Sequence, residues 1–533
     1  MSLDLDPNHI FRDFVIDGMP ASGAWRPRKI EIRQLLRDHQ QAIISLLGRL
    51  PGMTVTPEMF GASSDEDATI AIQEATDWLA SNGGGTLLFT KSEYIVSQQG
   101  THTSGRGYCL NLKSRVTWQG YAGAGTTLKY TRTSVDCDVV ITPDIGGIDS
   151  LQTSGICVRD MMIDGDSGSP QTGNGMNWWL RNIDSLTLEN VSSVDAASWG
   201  VRIEQCNGVH IDNIRTRHGV DDNADGVHFV DCRNVTGTLE IYTQGDDGVA
   251  IETLHHGIWN YNINVVVRAP VSGGARGAGV VILHERIHSP SPRVVKNIDL
   301  RIVAQDCLGP ALILSGAMLA SNINADVVAE NCESGLYLSI GEGAENGFLE
   351  GSRLNVISRN SRKEGAVIVK TAGSAIRFNK IDLLVFNPGN GYVGASIDGN
   401  GWTGSLDVVY NPNIDKTSFS LGVDIFGSFN RFFMSCSGAG TNVYVRQEAR
   451  HNMFFLGHLR GPQTADIEVA PGNTSPPTFV GGRIEGDLIN WEAMNFVGTR
   501  GAGLANLGGL PTSTTGVLPG SLWNDGGTVK IVT

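Results

Sequence analysis

A repeating pattern of short apolar strands limits how this chain can fold. Strand starts in which Gly or Ala precedes an apolar residue recur in steps of 22 to 32 residues. A second family of short apolar strands interleaves with them. In such a repeat each turn buries its inward residues on its neighbours, while the loops can lengthen without disturbing the stack. The seven starts are Gly200-Val201, Gly226-Val227, Gly248-Val249, Gly279-Val280, Ala311-Leu312, Gly335-Leu336 and Gly365-Ala366.

The repeat favours one all-β architecture over two others. A β-sandwich or propeller would show hairpin turns and a fixed blade length, and neither is evident. The 67 glycines and a charged fraction of only 18% also suit many short strands joined by tight turns. We predict a single-stranded parallel β-helix over residues 53–485, with an N-terminal segment of residues 1–52 and a C-terminal segment of residues 486–533.

The charge of the chain argues against two kinds of partner. The formal net charge is −15 and the pI is about 5.2, whereas nucleic acids and anionic membranes bind basic surfaces. The first residues contain neither the basic nor the apolar region of a secretory signal, and no apolar run is long enough to span a bilayer. We expect synthesis in the cytoplasm, no nucleic-acid partner and no membrane insertion.

The eight cysteines show no zinc-binding spacing. Cys206 and Cys232 follow equivalent strands, as do Cys307 and Cys332. Free thiols stacked in the core of the repeat are the first interpretation, and a disulfide framework is the second.

The N-terminal segment contains a helical pattern with apolar residues seven apart. This heptad seam is compatible with a short oligomeric coiled coil, and equally with an amphipathic helix packed on its own subunit. Pro51-Gly52 ends the pattern. Its two rows are Leu36, Ile43 and Leu50, and Ile32, His39 and Leu46.

A second helix is predicted just before the first strands. Asp67 can cap it, and the glycines after Asn82 stop it before the strand Thr86-Leu87-Leu88-Phe89. The predicted apolar face consists of Ile70, Ala71, Ala75, Trp78 and Leu79. The sequence pattern FGA, then D-A-T-x-A-I-Q, then GGG resembles the opening segment of the pectate-lyase-like superfamily. That resemblance implies a right-handed parallel β-helix and a phage tailspike.

Two similar aspartate motifs lie 22 residues apart, Asn223-Ala224-Asp225-Gly226 and Gly245-Asp246-Asp247-Gly248. Successive rungs lie about 4.8 Å apart, so Asp225 and Asp247 should stack and titrate as a coupled pair. Acid-base hydrolysis of a glycosidic bond is a use for such a group. We assign Asp246 as general acid and Asp225 with Asp247 as the residues that hold and deprotonate water. Asp-Gly is also an ordinary turn signal, so a purely structural role is the alternative.

The same stretch is similar to the core of the polygalacturonase family of glycoside hydrolases. The family pattern is N-T-D-G, about twenty residues, and then G-D-D-C-x-A-I, with inverting hydrolysis by its three aspartates. Downstream this chain departs from it. Gly277-Ala278-Gly279 replaces Gly-His-Gly, Leu312-Ile313-Leu314 replaces the Arg-Ile-Lys that binds the uronate, and Glu252 stands where lysine is common. The resemblance therefore implies the reaction, on a polysaccharide other than plain pectate.

Several polar and aromatic residues are candidates for substrate binding. Alternation along the strands places Arg202 and His228 on the outer face, where a solvated surface role is the alternative. Aromatic residues in a rung are often core. The predicted substrate-binding residues are Arg202, His228, Glu252, Arg276, Trp178 and Trp179.

No cofactor is expected, although one metal site stays open. Calcium binds several oxygens, and Asp221, Asp222, Asp225, Asp246 and Asp247 could supply them. Such a site would point to a polysaccharide lyase.

The two ends of the chain suggest a viral context. The opening RDFVIDGMPASGAWRPRK is similar to virion-attachment segments of phage tail proteins, and the closing LPTS and LWNDGG stretches are similar to tails of phage structural proteins. These resemblances imply a homotrimeric tailspike, attached to the phage tail through its N-terminus, that hydrolyses bacterial surface polysaccharide outside the cell. A non-catalytic receptor-binding fibre and a polysaccharide lyase are the alternatives.

Overall fold

A computed structural model describes residues 52–531 with internal gaps. All described residues belong to the unit Pro51–Thr533. The predicted N-terminal helix, Asp221, Asp222 and Arg276 lie outside the described residues. The gaps are residues 64, 103–104, 122–124, 132–133, 135, 144–152, 166–172, 218–223, 243–244, 269–276, 285–291, 342–346, 371–373, 390, 412–420, 461–464, 482, 485–487, 490–493, 498–499, 502–521 and 526–527.

The strands, numbered β1 to β41 along the chain, form two large sheets and one hairpin. The first sheet contains 23 strands. They are β1 (Thr54–Val55), β2 (Gly85–Leu88), β3 (Glu93–Val96), β6 (Val116–Gln119), β7 (Thr126–Tyr130), β9 (Thr153–Asp164), β11 (Ile183–Val194), β13 (Asn207–Arg217), β15 (Arg233–Tyr242), β17 (Ile258–Arg268), β19 (Arg293–Gln305), β21 (Met318–Glu330), β23 (Phe348–Glu350), β24 (Arg353–Arg359), β26 (Ala375–Arg377), β27 (Lys380–Phe386), β29 (Thr403–Val409), β31 (Arg431–Ser437), β33 (Met453–Arg460), β35 (Thr478–Val480), β36 (Arg483–Ile484), β38 (Asn495–Val497) and β39 (Arg500–Gly501).

The second sheet contains 16 shorter strands. They are β4 (Gly100–Thr101), β5 (Gly107–Asn111), β8 (Cys137–Ile141), β10 (Trp178–Arg181), β12 (Val201–Glu204), β14 (Val227–Val230), β16 (Val249–Glu252), β18 (Val280–His284), β20 (Leu312–Gly316), β22 (Leu336–Ile340), β25 (Ala366–Lys370), β28 (Ala395–Ile397), β30 (Leu421–Ile425), β32 (Thr441–Val445), β34 (Ala465–Val469) and β37 (Leu488–Ile489). The separate antiparallel hairpin is β40 (Leu522–Asp525) with β41 (Thr528–Ile531).

The chain returns to both sheets on successive turns, and strands pair in parallel with their equivalents one turn later, except that β4 pairs with β5 in antiparallel fashion. In the second sheet β12, β14 and β16 are successive neighbours, with Val201 opposite Val227 and Val227 opposite Val249. This is a parallel β-helix, so the predicted fold class is confirmed. Parallel pairing continues through β38 and β39, and the domain boundaries stay a prediction.

The core lies inside the coil, between the sheets. Alternate residues of each short strand point inward, such as Val227 and Phe229 in β14, and both are fully buried. The eight cysteines are free and seven of them are buried, which confirms stacked thiols rather than a disulfide framework. Burial raises the pKa of the Cys436 thiol.

Asparagine side chains bind one another along the first sheet. Asn234, Asn260, Asn297 and Asn322 have left-handed backbone angles, which Asn tolerates better than most residues. Each donates its amide N–H to the asparagine of the preceding rung, beginning with Asn234 to Asn207, at 2.7 to 3.0 Å. The ladder fixes the same bend in successive rungs.

A helix, α1 (Thr69–Ser81), packs next to the first strands and follows a short 3-10 turn (Pro57–Phe60). It begins at Thr69, whose N–H and hydroxyl both donate to Asp67, and the indole of Trp118 donates to Thr76 at 3.1 Å. Its predicted face needs one correction, because Ile70 is 62% exposed and Ile72 is buried instead. No helix among the described residues is long and apolar enough to cross a membrane.

Candidate active site

The two aspartate motifs lie in register on neighbouring rungs of the second sheet. The N–H of Gly226 donates to the backbone oxygen of Asp247 at 3.0 Å, and that of Gly200 donates to Asp225 at 3.0 Å. The column before the aligned glycines therefore reads Trp199, Asp225, Asp247 and Ala278. The stacking of the two aspartates that the repeat predicts is present in the structure.

Glycine is required beside these aspartates because the backbones approach closely. A Cβ on Gly277 would lie 1.8 Å from the backbone oxygen of Asp246. A Cβ on Gly226 would lie 2.6 Å from the backbone oxygen of Gly248. A larger residue at either position would displace the aspartate backbone.

The three carboxylates converge on the outer side of the coil. Asp225, Asp246 and Asp247 each offer an oxygen, and these oxygens lie within 4.8 Å of one another. The N–H of Asp247 donates to Asp225 Oδ1 at 3.2 Å, and the N–H of Ala278 donates to Asp247 Oδ1 at 2.6 Å. Backbone N–H groups of two successive rungs therefore hold the stacked carboxylates.

Burial and repulsion change the titration of Asp247. Removal from water raises the pKa of Asp247 well above its usual value, and the negative charges of Asp225 and Asp246 raise it further. The hydrogen bond from Ala278 and the charge of His228 act in the opposite direction. Asp247 therefore gains a proton more readily than an isolated aspartate does.

His228 lies between two carboxylates. Its Nδ1 is 2.8 Å from Asp225 Oδ2 and its Nε2 is 3.0 Å from Glu252 Oε2. Burial alone would lower the pKa of His228, but the contacts with Asp225 and Glu252 outweigh it and raise the pKa to about 9. An imidazolium cation therefore lies directly beside the acidic cluster at neutral pH.

A cluster of arginine and tryptophan residues covers the outer face on the rungs before the aspartates. The guanidinium of Arg202 lies over Trp199 at 4.6 Å, and that of Arg181 lies over Trp179 at 4.9 Å. Glu204 accepts hydrogen bonds from Trp179 Nε1 and from Arg202 Nε, both at 3.1 Å. We call Arg181, Arg202, Glu204, Trp179 and Trp199 the upstream cluster.

The structure brings together most of the predicted site residues. Arg202, His228 and Glu252 face outward as alternation predicts, but His228 and Glu252 are buried by their neighbours rather than solvated. Trp178 corrects the prediction, because its ring is fully buried in the core and its indole donates to the backbone of Ser192. The outward residue is Trp179, and the arginines cover it, so it supports guanidinium groups rather than a sugar ring.

Sequence reasoning missed Glu204, Arg181 and the N–H of Ala278. Glu204 was within reach, since it lies two residues after Arg202, which alternation assigns to the outer face. Arg181 lies two residues after Trp179, a predicted substrate-binding residue, so the same alternation places both on one face. The hydrogen bond from the N–H of Ala278 could not be predicted from residue type, because any residue has a backbone N–H. Its position depends on the register in which β18 pairs with β16.

Calcium fits the carboxylate cluster poorly. A calcium ion takes six to eight oxygen ligands, and both oxygens of Asp225 already contact other groups, Asp247 N–H and His228 Nδ1. The adjacent imidazolium would also repel a divalent cation. Among the described residues, the oxygens that converge come from three carboxylates.

Comparisons with known proteins agree with this arrangement. Residues 97–279, which contain all three aspartates, match the sequence profile of Glycosyl hydrolases family 28. The mannuronan C5-epimerase AlgE5 of Azotobacter vinelandii is 30% identical over 238 residues, which are 42% of this chain and 22% of that protein. AlgE6 of the same organism is 27% identical over 193 residues, 34% of this chain and 20% of that protein. The chain thus spans about a fifth of the length of these relatives.

Solved structures share the fold. Two point mutants of the tailspike protein of E. coli bacteriophage HK620, each in complex with a pentasaccharide, superimpose with TM-scores of 0.53 and 0.52 at 11% identity. The first alignment covers 85% of this chain and 81% of the tailspike, and the second covers 87% and 85%. Residues 97–279 therefore combine a match to the profile of Glycosyl hydrolases family 28 with a parallel β-helix on which Asp225 and Asp247 stack in register and Asp246 lies beside them.

Proposed function

We propose that this protein is a polysaccharide depolymerase that hydrolyses glycosidic bonds at Asp225, Asp246 and Asp247. The observation that carries the proposal is the convergence of the three carboxylates, whose oxygens lie within 4.8 Å of one another in the segments directly before β14 and β16. They lie inside the stretch that matches the glycosyl hydrolase profile.

Asp246 is the proposed general acid. It lies beside the stacked pair rather than within it, and is partly exposed. From that position it can protonate the oxygen of the leaving sugar while the stacked carboxylates act on water. Proton donation of this kind contributes about 10²- to 10⁴-fold to a rate.

Asp225 and Asp247 are proposed to hold and deprotonate the attacking water. Each carboxylate oxygen can accept more than one hydrogen bond, so the contacts with Asp247 N–H, His228 and Ala278 N–H leave capacity for water. These contacts fix both carboxylates, which lowers the reorganisation needed during reaction. The positive charge of His228 offsets part of the repulsion among the three acids.

Inversion is the proposed stereochemical course. Inverting enzymes usually place two carboxyl groups about 6.5 to 9.5 Å apart, with room for water, and retaining enzymes about 5 to 5.5 Å apart. Three converging carboxylates match neither spacing, so inversion rests on the family 28 match and on the roles above. Proton NMR of the first product checks it, because inversion gives the anomer opposite to that of the substrate.

Depolymerisation is tested with purified protein on a panel of bacterial capsular and exopolysaccharides, O-antigens, polygalacturonate and alginate. We expect falling viscosity and new reducing ends on at least one polymer, without the absorbance of an unsaturated uronate. Asp246→Asn should lower this activity about 10²- to 10⁴-fold while the circular dichroism spectrum and the thermal midpoint stay near those of the unmodified protein.

Cleavage at an unchanged rate in Asp246→Asn would contradict the proposed role of Asp246. Binding of a polymer without cleavage by the unmodified protein would favour a receptor-binding fibre. Unsaturated products would indicate a lyase. We also propose that hydrolysis needs no metal, so exhaustive treatment with EDTA should leave the rate unchanged.

An epimerase is a second candidate, because the curated relatives at 27 to 30% identity are mannuronan C5-epimerases. Epimerisation needs a uronate carboxylate to be neutralised during proton abstraction, and three converging acids would repel that carboxylate. Incubation of polymannuronate in D₂O discriminates the two reactions. Deuterium at C5 without new reducing ends would indicate epimerisation.

We further propose a phage tail context. It rests on the tailspike-type fold and on the resemblance of both chain ends to phage tail proteins. Such a protein would be a homotrimer, attached to the virion through residues 1–52, and would act at the bacterial surface. Light scattering of the full chain gives its subunit number, and a monomer would contradict this assembly.

A further inference from the structure

Glu252 is a buried carboxylate beside the acidic cluster, and the proposed reaction does not use it. Only 6% of the residue is exposed. Its neighbours in the outward column of the second sheet are Val230 on β14 and Leu283 on β18, and Val230 is fully buried. An ionised carboxylate beside aliphatic side chains needs a cation or a hydrogen-bond donor as its partner.

The imidazole of His228 is this partner. Its Nε2 donates to Glu252 Oε2 at 3.0 Å. The contact of Nδ1 with Asp225 Oδ2 is shorter, 2.8 Å, but it lacks the direction of a hydrogen bond, and Nδ1 has no hydrogen-bond partner among the described residues. Asp225 is therefore attracted by the charge of the ring, whereas Glu252 sets the orientation of the ring.

The charged groups that face His228 come from three successive rungs. They are Arg202 in β12, Asp225 before β14, Asp247 before β16 and Glu252 in β16. Burial and the charge of Arg202 lower the pKa of His228, but the contacts with Asp225 and Glu252 outweigh both and raise it to about 9. Trp199 of the upstream cluster packs edge to face on the imidazole at 5.0 Å. Without Glu252 one carboxylate would have to outweigh burial and Arg202, so we expect the pKa of His228 to fall.

The imidazolium lies on one side of the stacked aspartates. It contacts Asp225, whereas burial and the charges of Asp225 and Asp246 raise the pKa of Asp247. A positive charge in contact favours the ionised form of a carboxyl group, and burial and negative neighbours favour the protonated form. When the pair shares one proton, the arrangement therefore places this proton on Asp247.

We propose that Glu252 is a positioning residue, which holds the imidazolium of His228 against Asp225. The stacked pair then carries its negative charge on Asp225 and its proton on Asp247. In the reaction Asp225 takes a proton from water, whose oxygen bonds to the anomeric carbon. The bond from that carbon to the leaving oxygen breaks, and Asp246 gives this oxygen its proton. This inference deepens the proposed function and rests on it.

The link between Glu252 and the imidazole is tested by NMR of the full chain with isotope-labelled histidine. His228→Gln identifies the signal of His228 by its absence. We expect a pKa of about 9 for His228 in the unmodified protein and a value about 1 to 3 units lower in Glu252→Gln, which keeps the shape of the side chain and removes its charge. The same pKa in both proteins would overturn the proposal.

The effect on the reaction is tested by the pH dependence of kcat/KM on a polymer that the protein cleaves. Activity should fall as the pH rises through the pKa of His228, because the uncharged ring no longer fixes the proton of the pair on Asp247. In Glu252→Gln this fall should occur about 1 to 3 pH units lower, with a rate near that of the unmodified protein below it. A rate that is lower at every pH, without a shift of the profile, would show a structural role and overturn the proposal.

Glu240→Gln is the matched control. Glu240 is also paired with a cation, since Arg215 Nε lies 2.9 Å from its carboxylate, but the pair lies on the first sheet, with Glu240 in β15. Its loss should change neither the titration of His228 nor the pH profile. A shift as large as that of Glu252→Gln would overturn the proposal, because the loss of any negative charge would then have the same effect.

The positioning role and the proposed hydrolysis can fail separately. A lower pKa of His228 in Glu252→Gln, with no cleavage of any polymer by the unmodified protein, would refute hydrolysis and keep the link from Glu252 to the imidazole. Cleavage with the same pH profile in Glu252→Gln and in the unmodified protein would keep hydrolysis and refute the positioning role.

Discussion

Single residues at the acidic cluster carry opposing charges at short distance, and His228 is the clearest case. Asp225 and Glu252 contact one imidazole, whose pKa they raise to about 9. The side chain is buried, so its ionisation is coupled to folding rather than to solvent. Alternation along β14 predicts only that His228 points away from the core. It does not predict burial there, because that depends on Glu252 and Trp199 from other rungs.

The ionisation of His228 predicts a pH dependence of stability. Its folded pKa of about 9 lies above the ordinary value of 6.5, so the stabilisation is complete below about pH 6.5 and is lost as the pH rises through about 9. The expected loss in the free energy of unfolding is on the order of 3 kcal/mol. Chemical denaturation between these pH values measures it.

His228→Gln serves as the control for this loss. The variant should be less stable than the unmodified protein at low pH and should show a smaller decrease across the same window. A decrease of equal size in both proteins would assign the titration to another group.

Gly277 predicts a separable effect on activity. A Cβ in Gly277→Ala would meet the backbone oxygen of Asp246 at 1.8 Å, so we expect Asp246 to move and kcat to fall at least about tenfold, with a stability loss of about 1 to 3 kcal/mol. Rates of reducing-end formation and thermal midpoints measure the two effects.

Gly427→Ala is the comparison, because its Cβ would meet the backbone oxygen of Gly399 at 1.6 Å, far along the coil from the aspartates. It should lose similar stability and keep its kcat. Equal loss of kcat in both variants would mean that activity follows general destabilisation rather than the position of Asp246.

At the scale of the element, each rung is fixed by contacts with its neighbours. The Asn ladder illustrates this, since Asn260 donates to Asn234 and accepts from Asn297 while its backbone adopts a left-handed conformation. The ladder combines a backbone requirement with a side-chain requirement, and two substitutions can separate them.

Asn260→Gly keeps the left-handed backbone accessible but removes two amide contacts, so we expect a loss of about 1 kcal/mol in the free energy of unfolding. Asn260→Ala should lose about 1 to 2 kcal/mol more, since Ala is strained in that conformation. Denaturant titration of both variants measures the difference. If Ala were as stable as Gly, the backbone angle at this position would carry no cost.

The sequence predicts elements well where neighbours repeat. The stacking of Asp225 on Asp247 follows from two motifs of similar sequence. The stacked thiols follow from the equivalent positions of the cysteines in the repeat. Helix α1 is less well predicted: Ile70 is exposed and Ile72 buried, because the apolar residues of a short helix allow two faces and only the packing chooses one. Trp178 and Trp179 are neighbours on opposite faces, so an error of one residue in register exchanges core for surface.

At the scale of the whole molecule, the fold is predictable and the substrate is not. Period, glycine positions and alternation determine a parallel coil, because every turn repeats the same physical constraints. The chemistry of the substrate depends on side chains that meet across rungs from distant parts of the chain. Arg181 and Arg202 meet at Glu204 only after β10 and β12 pair. Alternation along one strand assigns each residue to a face but does not show that the two arginines share a carboxylate.

The alternation of inward and outward side chains in β12 has a consequence for how the sequence can evolve. Val201 and Ile203 point inward and pack in the core. Arg202 and Glu204 alternate with them and point outward. The residues that stabilise the coil and the residues that form its outer surface thus lie on opposite faces of the same four-residue strand. Substitutions at the two outward positions of such a strand can change what the surface contacts without changing the inward residues that pack in the core.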